Sequence, residues 1–312
     1  TAITERIENR GIKIEYLGKK RGFDPSIISK MRKIIKAYQP DVIHTHRYVL
    51  PYAFLASMGL KAKRVHTVHN VAQKEQTKAG IIINKAMFKH FNVVPVALSE
   101  EVQKTIQEVY GLSEKKIPVI FNGIDLSRCI VKESYVRNNA FNVLHVGRFM
   151  DVKNHELLLR SFAQFVKKHP DTRLQLLGDG ELREKMEHLA AELGIAEFVQ
   201  FAGLQSNVYP WLHKADVFIL PSKFEGMPMT LIEAMGTGLP IIASNVGGIP
   251  DMLTDKEDAL LIKPKEEDIL EALEMIYSDG EKRKQLGRNA LDKSIVFSAK
   301  TMARKYLQLY SS

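Results

Sequence analysis

Short apolar bursts alternate with longer stretches of helical periodicity along almost the whole chain. In the first part, Lys13–Leu17, Asp41–Thr45, Arg64–Val68, Val93–Ala97 and Ile117–Phe121 read as strands, with helices at Pro25–Ala37 and Glu100–Tyr110. In the second, Phe141–Val146, Arg173–Leu177, Phe198–Phe201, Asp216–Leu220, Leu239–Ala243 and Ala259–Ile262 read as strands. Helices such as Glu156–Lys168 and Glu181–Leu193 fill the gaps. Two alternating β/α series predict an α/β protein with two doubly wound sheets. The polar run Ser127–Asn139 predicts a linker, Ser298–Tyr310 a terminal helix, and Thr1–Arg10 a helical fragment at the start.

One β-α-β unit is especially clear. Asp216–Leu220 is stopped by Pro221, and a second burst is entered through Gly238. Thr230–Thr237 between them has room only for a short helix, so the two strands are parallel. Ligands bind outside the carboxyl ends of such strands, where a helix N-terminus offers unpaired N–H groups to an anion. This loop also carries Glu225, and the helix carries Glu233. A carboxylate beside an anion is repelled unless it bonds neutral hydroxyls, so phosphate on the amides and sugar hydroxyls on the carboxylates describe a sugar nucleotide. Gly226 lets backbone approach the sugar, and Pro228 pre-sets a turn that aims the N–H groups of Met229 and Thr230 at the diphosphate. Glu233 has a structural rival: Thr230-x-x-Glu233 also fits a capping box.

The setting Phe-Glu225-Gly-Met-Pro-Met-Thr-Leu-Ile-Glu233-Ala-Met resembles the Glu-x7-Glu motif of retaining GT-B glycosyltransferases of family 4, the group 1 transferases of bacterial polysaccharide biosynthesis. Asn122-Gly-Ile-Asp125, His145-Val-Gly147-Arg148 with Lys153-Asn-His-Glu156, and Leu177-Gly178-Asp179-Gly180 are similar to further segments of that family. The resemblance implies two Rossmann-like domains with a cleft between them. Glu225 then meets the transferred sugar, Glu233 the ribose, and Arg148 and Lys153 the diphosphate. Gly147, Gly178, Gly226, Met227, Met229 and Thr230 line the donor. His69, at the end of His66-Thr-Val-His69, resembles the family's cleft histidine, which faces the donor sugar and the acceptor, and the resemblance implies a catalytic role for it. His44 and His46 share one strand face; a buried face makes both core residues, and His46, nearer the strand end, is the better acceptor-side candidate. Ser99 reads as a helix N-cap. No Asp-x-Asp stands at a strand end, so no metal and no cofactor beyond the nucleotide-sugar donor is expected.

The resemblance also sets the expected domains: residues 1–135 on the acceptor side, residues 136–297 for the donor, and residues 298–312 a helix returning to the first domain. A family member opens with a strand and glycine-rich loop, so the first domain is expected to lack its opening strand. At 312 residues, two cores are the default. Cys129 is the single cysteine, which excludes an intrachain disulfide and fits a cytoplasmic setting. Residues 1–135 hold 23 Lys and Arg against 12 Asp and Glu, whereas the remainder is close to neutral. No base-reading motif accompanies that charge, so nucleic acid is not expected as a partner. The basic amphipathic run Gly80–Phe91, with Lys74, Lys78, Lys85 and Lys89 near Ile82, suggests either a helix packed on the first sheet or a peripheral contact with anionic membrane. The expected activity is transfer of a sugar, UDP-linked, to a hydroxyl of a glycan or lipid-linked acceptor. The alternative is a non-catalytic partner subunit that binds a nucleotide sugar.

Overall fold

A computed structural model describes residues 10–20, 22–69, 71–75, 77–137 and 140–312. The reading of Thr1–Arg10 as helical lies, Arg10 apart, outside the described residues, as do Asn70, Asn138 and Asn139. The chain forms two compact units: one runs to Val96 and takes in Gln107–Ile117, and the other comprises Ala97–Ile106 and Pro118–Ser312.

In the first unit α1 (Ser26–Tyr38), β1 (Val42–His46), α2 (Leu50–Ala56), β2 (Lys63–Val68), the single turn α3 (Ala72–Glu75), α4 (Lys78–His90) and β3 (Val93–Ala97) follow in order. The strands lie side by side as β1-β2-β3. β1 and β2 are parallel, with Val42 opposite Lys63 and His46 opposite Thr67. Val65, Val68, Phe88 and Val96 are buried, and the Phe88 and Tyr110 rings meet edge-on at 5.0 Å. Two expected strands do not form. Lys13–Leu17 forms no strand, and its alternation buries little, Tyr16 being 74% exposed. Ile117–Phe121 contributes one bridge, Val119 to Ala97, because Pro118 has no N–H to continue a ladder.

After α5 (Glu100–Tyr110), the second unit runs β4 (Phe141–Val146), α6 (His155–Lys168), β5 (Thr172–Leu177), α7 (Arg183–Glu192), β6 (Val199–Gly203), α8 (Tyr209–Lys214), β7 (Val217–Leu220), α9 (Met229–Thr237), β8 (Ile241–Ser244), α10 (Ile249–Met252), β9 (Leu260–Ile262), α11 (Glu266–Ser278), α12 (Gly280–Ser294) and α13 (Ala299–Ser311). Its sheet has the order β6-β5-β4-β7-β8-β9, and every neighbouring pair is parallel. Apolar clusters cover both faces, which is why β7 and β8 read as continuous apolar runs instead of alternating. Strand order reverses between β4 and β7. Loops leave such a point on opposite sides and open a crevice at the strands' carboxyl ends.

The polar linker is anchored. The Tyr135 hydroxyl donates to Gly238 O at 2.8 Å, and Lys132 Nζ donates to Ala215 O at 2.6 Å. α13 starts against the same unit, with Ala299 N donating to Ile124 O at 2.7 Å. Among the described residues no helix is long and apolar enough to cross a membrane.

Candidate functional site

Arg148 and Lys153 follow β4, and Glu225 follows β7, so the fold brings them to the one place where the strand order reverses. Lys153 Nζ lies 2.6 Å from Glu225 Oε1, and the Ser222 hydroxyl donates to the same oxygen at 2.6 Å. The two side chains are only 16% and 10% exposed. Sequence reasoning placed Lys153 on phosphate and Glu225 on sugar, and missed that they pair. The ion pair gives a second reason why a carboxylate can stand near an anion site. An ammonium has three donors, so Lys153 retains two beyond the one aimed at Glu225. Arg148 is exposed, and its guanidinium has no hydrogen bond or ion pair among the described residues.

Backbone contacts hold these loops. Lys223 N donates to Val152 O at 2.8 Å, Phe149 N to Asp179 O at 3.0 Å, and Gly248 N to Glu225 O at 2.9 Å. The contacts are close enough to demand glycine: a Cβ on Gly248 would stand 2.0 Å from Gly226 O, and one on Gly178 would stand 2.0 Å from Gly147 O. The ends of β4, β5 and β6 border a pocket of about 480 Å³ lined by Gly147, Arg148, Gly178, Asp179, Leu204 and Val208 among others. Leu204 and Val208 belong to no motif. Their only signal in sequence is their place just after a strand whose neighbours carry glycine loops.

α9 begins at Met229 with Pro228 as its N-cap, and no side chain caps it. Pro228 stands one position earlier than the sequence suggests, with ψ at 119°, and the first-turn N–H groups of Met229 and Thr230 have no intrahelical acceptor. The capping box does not form. Instead, the Tyr209 hydroxyl lies 3.4 Å from Glu233 Oε1, and the Arg128 guanidinium lies 5.0 Å from the centroid of the Tyr209 ring. Burial raises the Glu233 carboxyl above its ordinary value, against the opposing pull of Tyr209 and Arg128. The same burial, with Glu233 nearby, pushes the Tyr209 hydroxyl up to about 12. Met227 turns inward: it is buried, and its Sδ accepts from Asn122 N at 3.0 Å. Ser99 caps α5 as expected, accepting from Val102 N at 3.1 Å.

Near the Arg148 loop lie His145 and His155, which belong to the quoted segments but received no role from the sequence. His145 Nδ1 contacts Ile219 O at 2.9 Å, and the His155 ring stacks on Phe149 at 4.1 Å. His145 Nε2 and both ring nitrogens of His155 have no hydrogen-bond partner among the described residues. Burial lowers His145 to about 4 and His155 to about 2.

His69 belongs to the first unit. Thr45 takes the buried face of β1, while His44 is half-buried and His46 exposed, so the histidine face is not the core face. Among the described residues no group of three or more His, Cys, Asp or Glu is arranged to hold a metal ion.

The sequence matches the family Glycosyl transferases group 1 over residues 130–293 and Glycosyltransferase Family 4 over residues 3–128. The chain belongs to the group 1 glycosyl transferases. An uncharacterised glycosyltransferase of Methanocaldococcus jannaschii is 27% identical over 237 residues, covering 69% of this chain and 58% of its own length. The UDP-Gal:alpha-D-GlcNAc-diphosphoundecaprenol alpha-1,3-galactosyltransferase of Escherichia coli is 28% identical over 266 residues, covering 76% of this chain and 66% of its own length. The chain thus spans less than two thirds of either relative. Anabaena HepE, crystallised in complex with UDP and glucose, has a TM-score of 0.84 at 19% identity, covering 99% of this chain and 89% of HepE. That likeness carries the fold, the GT-B arrangement of two parallel-sheet domains.

Proposed function

We propose that this group 1 transferase moves a sugar from a UDP-sugar to a hydroxyl of a glycan or lipid-linked acceptor, with retention of anomeric configuration. The observation that carries the reading is the meeting of Arg148, the Lys153–Glu225 pair and the uncapped start of α9 at the sheet's switch point. The names of the relatives support the substrate class: HepE was crystallised with UDP and glucose, and the E. coli relative is named for UDP-Gal and a diphosphoundecaprenol-linked sugar.

In this reading the pocket beside Gly147 and Gly178 takes the base, and Glu233 takes the ribose hydroxyls. Arg148, Lys153 and the N–H groups of Met229 and Thr230 take the diphosphate. Glu225, held by Lys153 and Ser222, accepts hydroxyls of the transferred sugar. The bond from the anomeric carbon to the leaving phosphate breaks as the acceptor oxygen bonds to the same face. The acceptor proton passes to the leaving phosphate oxygen. Two cations aimed at the developing diphosphate charge supply the largest electrostatic contribution, in the place a metal ion takes in other transferases.

The test is UDP release from a panel of UDP-sugars. Glu225→Gln is expected to lower turnover on the order of a hundredfold without weakening UDP binding, because it removes a sugar contact and frees Lys153 from its ion pair while leaving that ammonium for the diphosphate. Glu233→Ala is expected to weaken UDP and UDP-sugar alike. Wild-type turnover in Glu225→Gln would contradict the assignment, and no UDP release with any sugar would favour a binding subunit.

The contact with membrane is part of the same proposal. α4 buries Met87 and Phe88 and leaves Ile82 71% exposed. Lys78, Ile82, Lys85 and Lys89 recur at helical spacing on one exposed face. An apolar side chain framed by lysines suits an anionic lipid surface, where each lysine contributes about 1 kcal/mol. Co-sedimentation with phosphatidylglycerol vesicles is expected at low salt and is expected to be lost when Lys78, Lys85 and Lys89 are changed to Glu. Binding indifferent to salt and to these changes would remove this face from consideration.

A further inference from the structure

Three histidines of the first unit, His44, His46 and His69, lie against one another. His46 Nδ1 lies 2.8 Å from His69 Nε2, with ring centroids 5.1 Å apart. His44 packs against His46 at 4.4 Å between centroids, and its Nε2 lies 2.7 Å from Thr67 Oγ1. A nitrogen-to-nitrogen contact of this length needs a proton on one ring and a lone pair on the other. A neutral pair has two ways to satisfy it. When His46 donates from Nδ1, His69 carries its own proton on Nδ1. When His69 donates from Nε2, its Nδ1 is a bare acceptor and His46 is protonated on Nε2. The two arrangements carry the same charge and differ only in where two protons reside.

We propose that His46 is a positioning residue for His69, holding the His69 ring by a shared proton and letting its Nδ1 either donate to or accept from a sugar hydroxyl. This rests on the reading of His69 as the group that meets donor sugar and acceptor. A hydroxyl both donates and accepts, so a ring able to present either tautomer engages it in either sense. Among the described residues, the titratable groups that act on the pair are His44 and Arg47 from β1 and its end, and His66 from β2, all of them basic. Burial keeps His46 below its ordinary value; burial, then His46, then Arg47 do the same for His69. With both rings doubly protonated, N–H would face N–H and the contact would break.

The direct readout is ¹⁵N NMR of the full chain with labelled histidine, near neutral pH. A scalar coupling between His46 Nδ1 and His69 Nε2 is expected, and it is measured on the unmutated chain. His46→Asn keeps a donor or acceptor where Nδ1 stood, whereas His46→Leu does not. With UDP-glucose and UDP-galactose as probes, His46→Leu is expected to lower kcat for UDP release on the order of tenfold, with KM for the nucleotide sugar within about twofold. His46→Asn is expected to recover to within about threefold of wild type. Absence of the coupling, or a His46→Leu variant as active as wild type while His69→Ala is inactive, overturns the proposal. Wild-type turnover in His69→Ala overturns instead the reading of His69 on which it stands.

Discussion

Between about pH 6.5 and about pH 4.5 the second unit is expected to lose on the order of 5 kcal/mol of stability, because two buried imidazoles resist the charge that the unfolded chain accepts. His145 is held down to about 4 and His155 to about 2, in each case first by burial. Both folded values lie below the unfolded one, so the stabilisation is complete above about pH 6.5 and is lost as pH falls toward the folded values. Each group contributes about 1.4 kcal/mol per pH unit in that window. The total approaches the whole stability of an ordinary domain, roughly 5–15 kcal/mol. Asp216 and Glu233, raised by burial, act in the opposite direction, but only near the carboxylate range. Thermal melts followed by circular dichroism from pH 7 to pH 4.5 should show the fall. His155→Phe, which removes a titrating ring without removing a hydrogen bond and keeps an aromatic against Phe149, should make the fall shallower by about 1.4 kcal/mol per pH unit. The remainder comes from His145 and from His44 and His66 of the first unit, which burial also holds down. A melting temperature that stays level to about pH 5 would contradict the argument.

Those two histidines show where sequence reasoning stops. His145 stands in a strand and His155 opens a helix. That they meet, T-shaped at 4.7 Å, follows only from how the loop between them folds back. The β-α-β unit around Glu225 was legible because Pro221 and Gly238 punctuate it and each apolar burst is short. The partnership of Glu225 with Lys153 was not, because they lie 72 residues apart. Nothing local says that β7 returns to pair with β4 across the switch point. The capping box failed for a local reason: Pro228, with its fixed φ and extended ψ, takes the N-cap position and moves Thr230 into the first turn. That leaves Glu233 to the side chain of Tyr209, which no motif marks. Ile117–Phe121 was over-read, since its β-rich composition outweighed Pro118. The linker was under-read, since one buried aromatic, Tyr135, anchors an otherwise polar run.

Replacing Lys153 with Ala is expected to act twice. It strips a buried carboxylate of its cation, leaving Glu225 with Ser222, and breaking such a pair costs roughly 3–5 kcal/mol. It also removes a charge from the diphosphate, where a charge-assisted contact contributes roughly 1.5–3 kcal/mol, or about 10- to 150-fold in affinity. Arg148→Ala separates the two effects, because Arg148 is exposed and holds nothing else in place. Its folded stability should match wild type while its affinity for UDP falls about as far. Uridine lacks the phosphates and should bind both proteins within about twofold of each other. Calorimetric titration of UDP and of uridine into wild type and Arg148→Ala therefore tests the central claim most directly. A loss confined to UDP is the predicted result. Equal UDP affinity in the two proteins would place the diphosphate elsewhere and contradict the account.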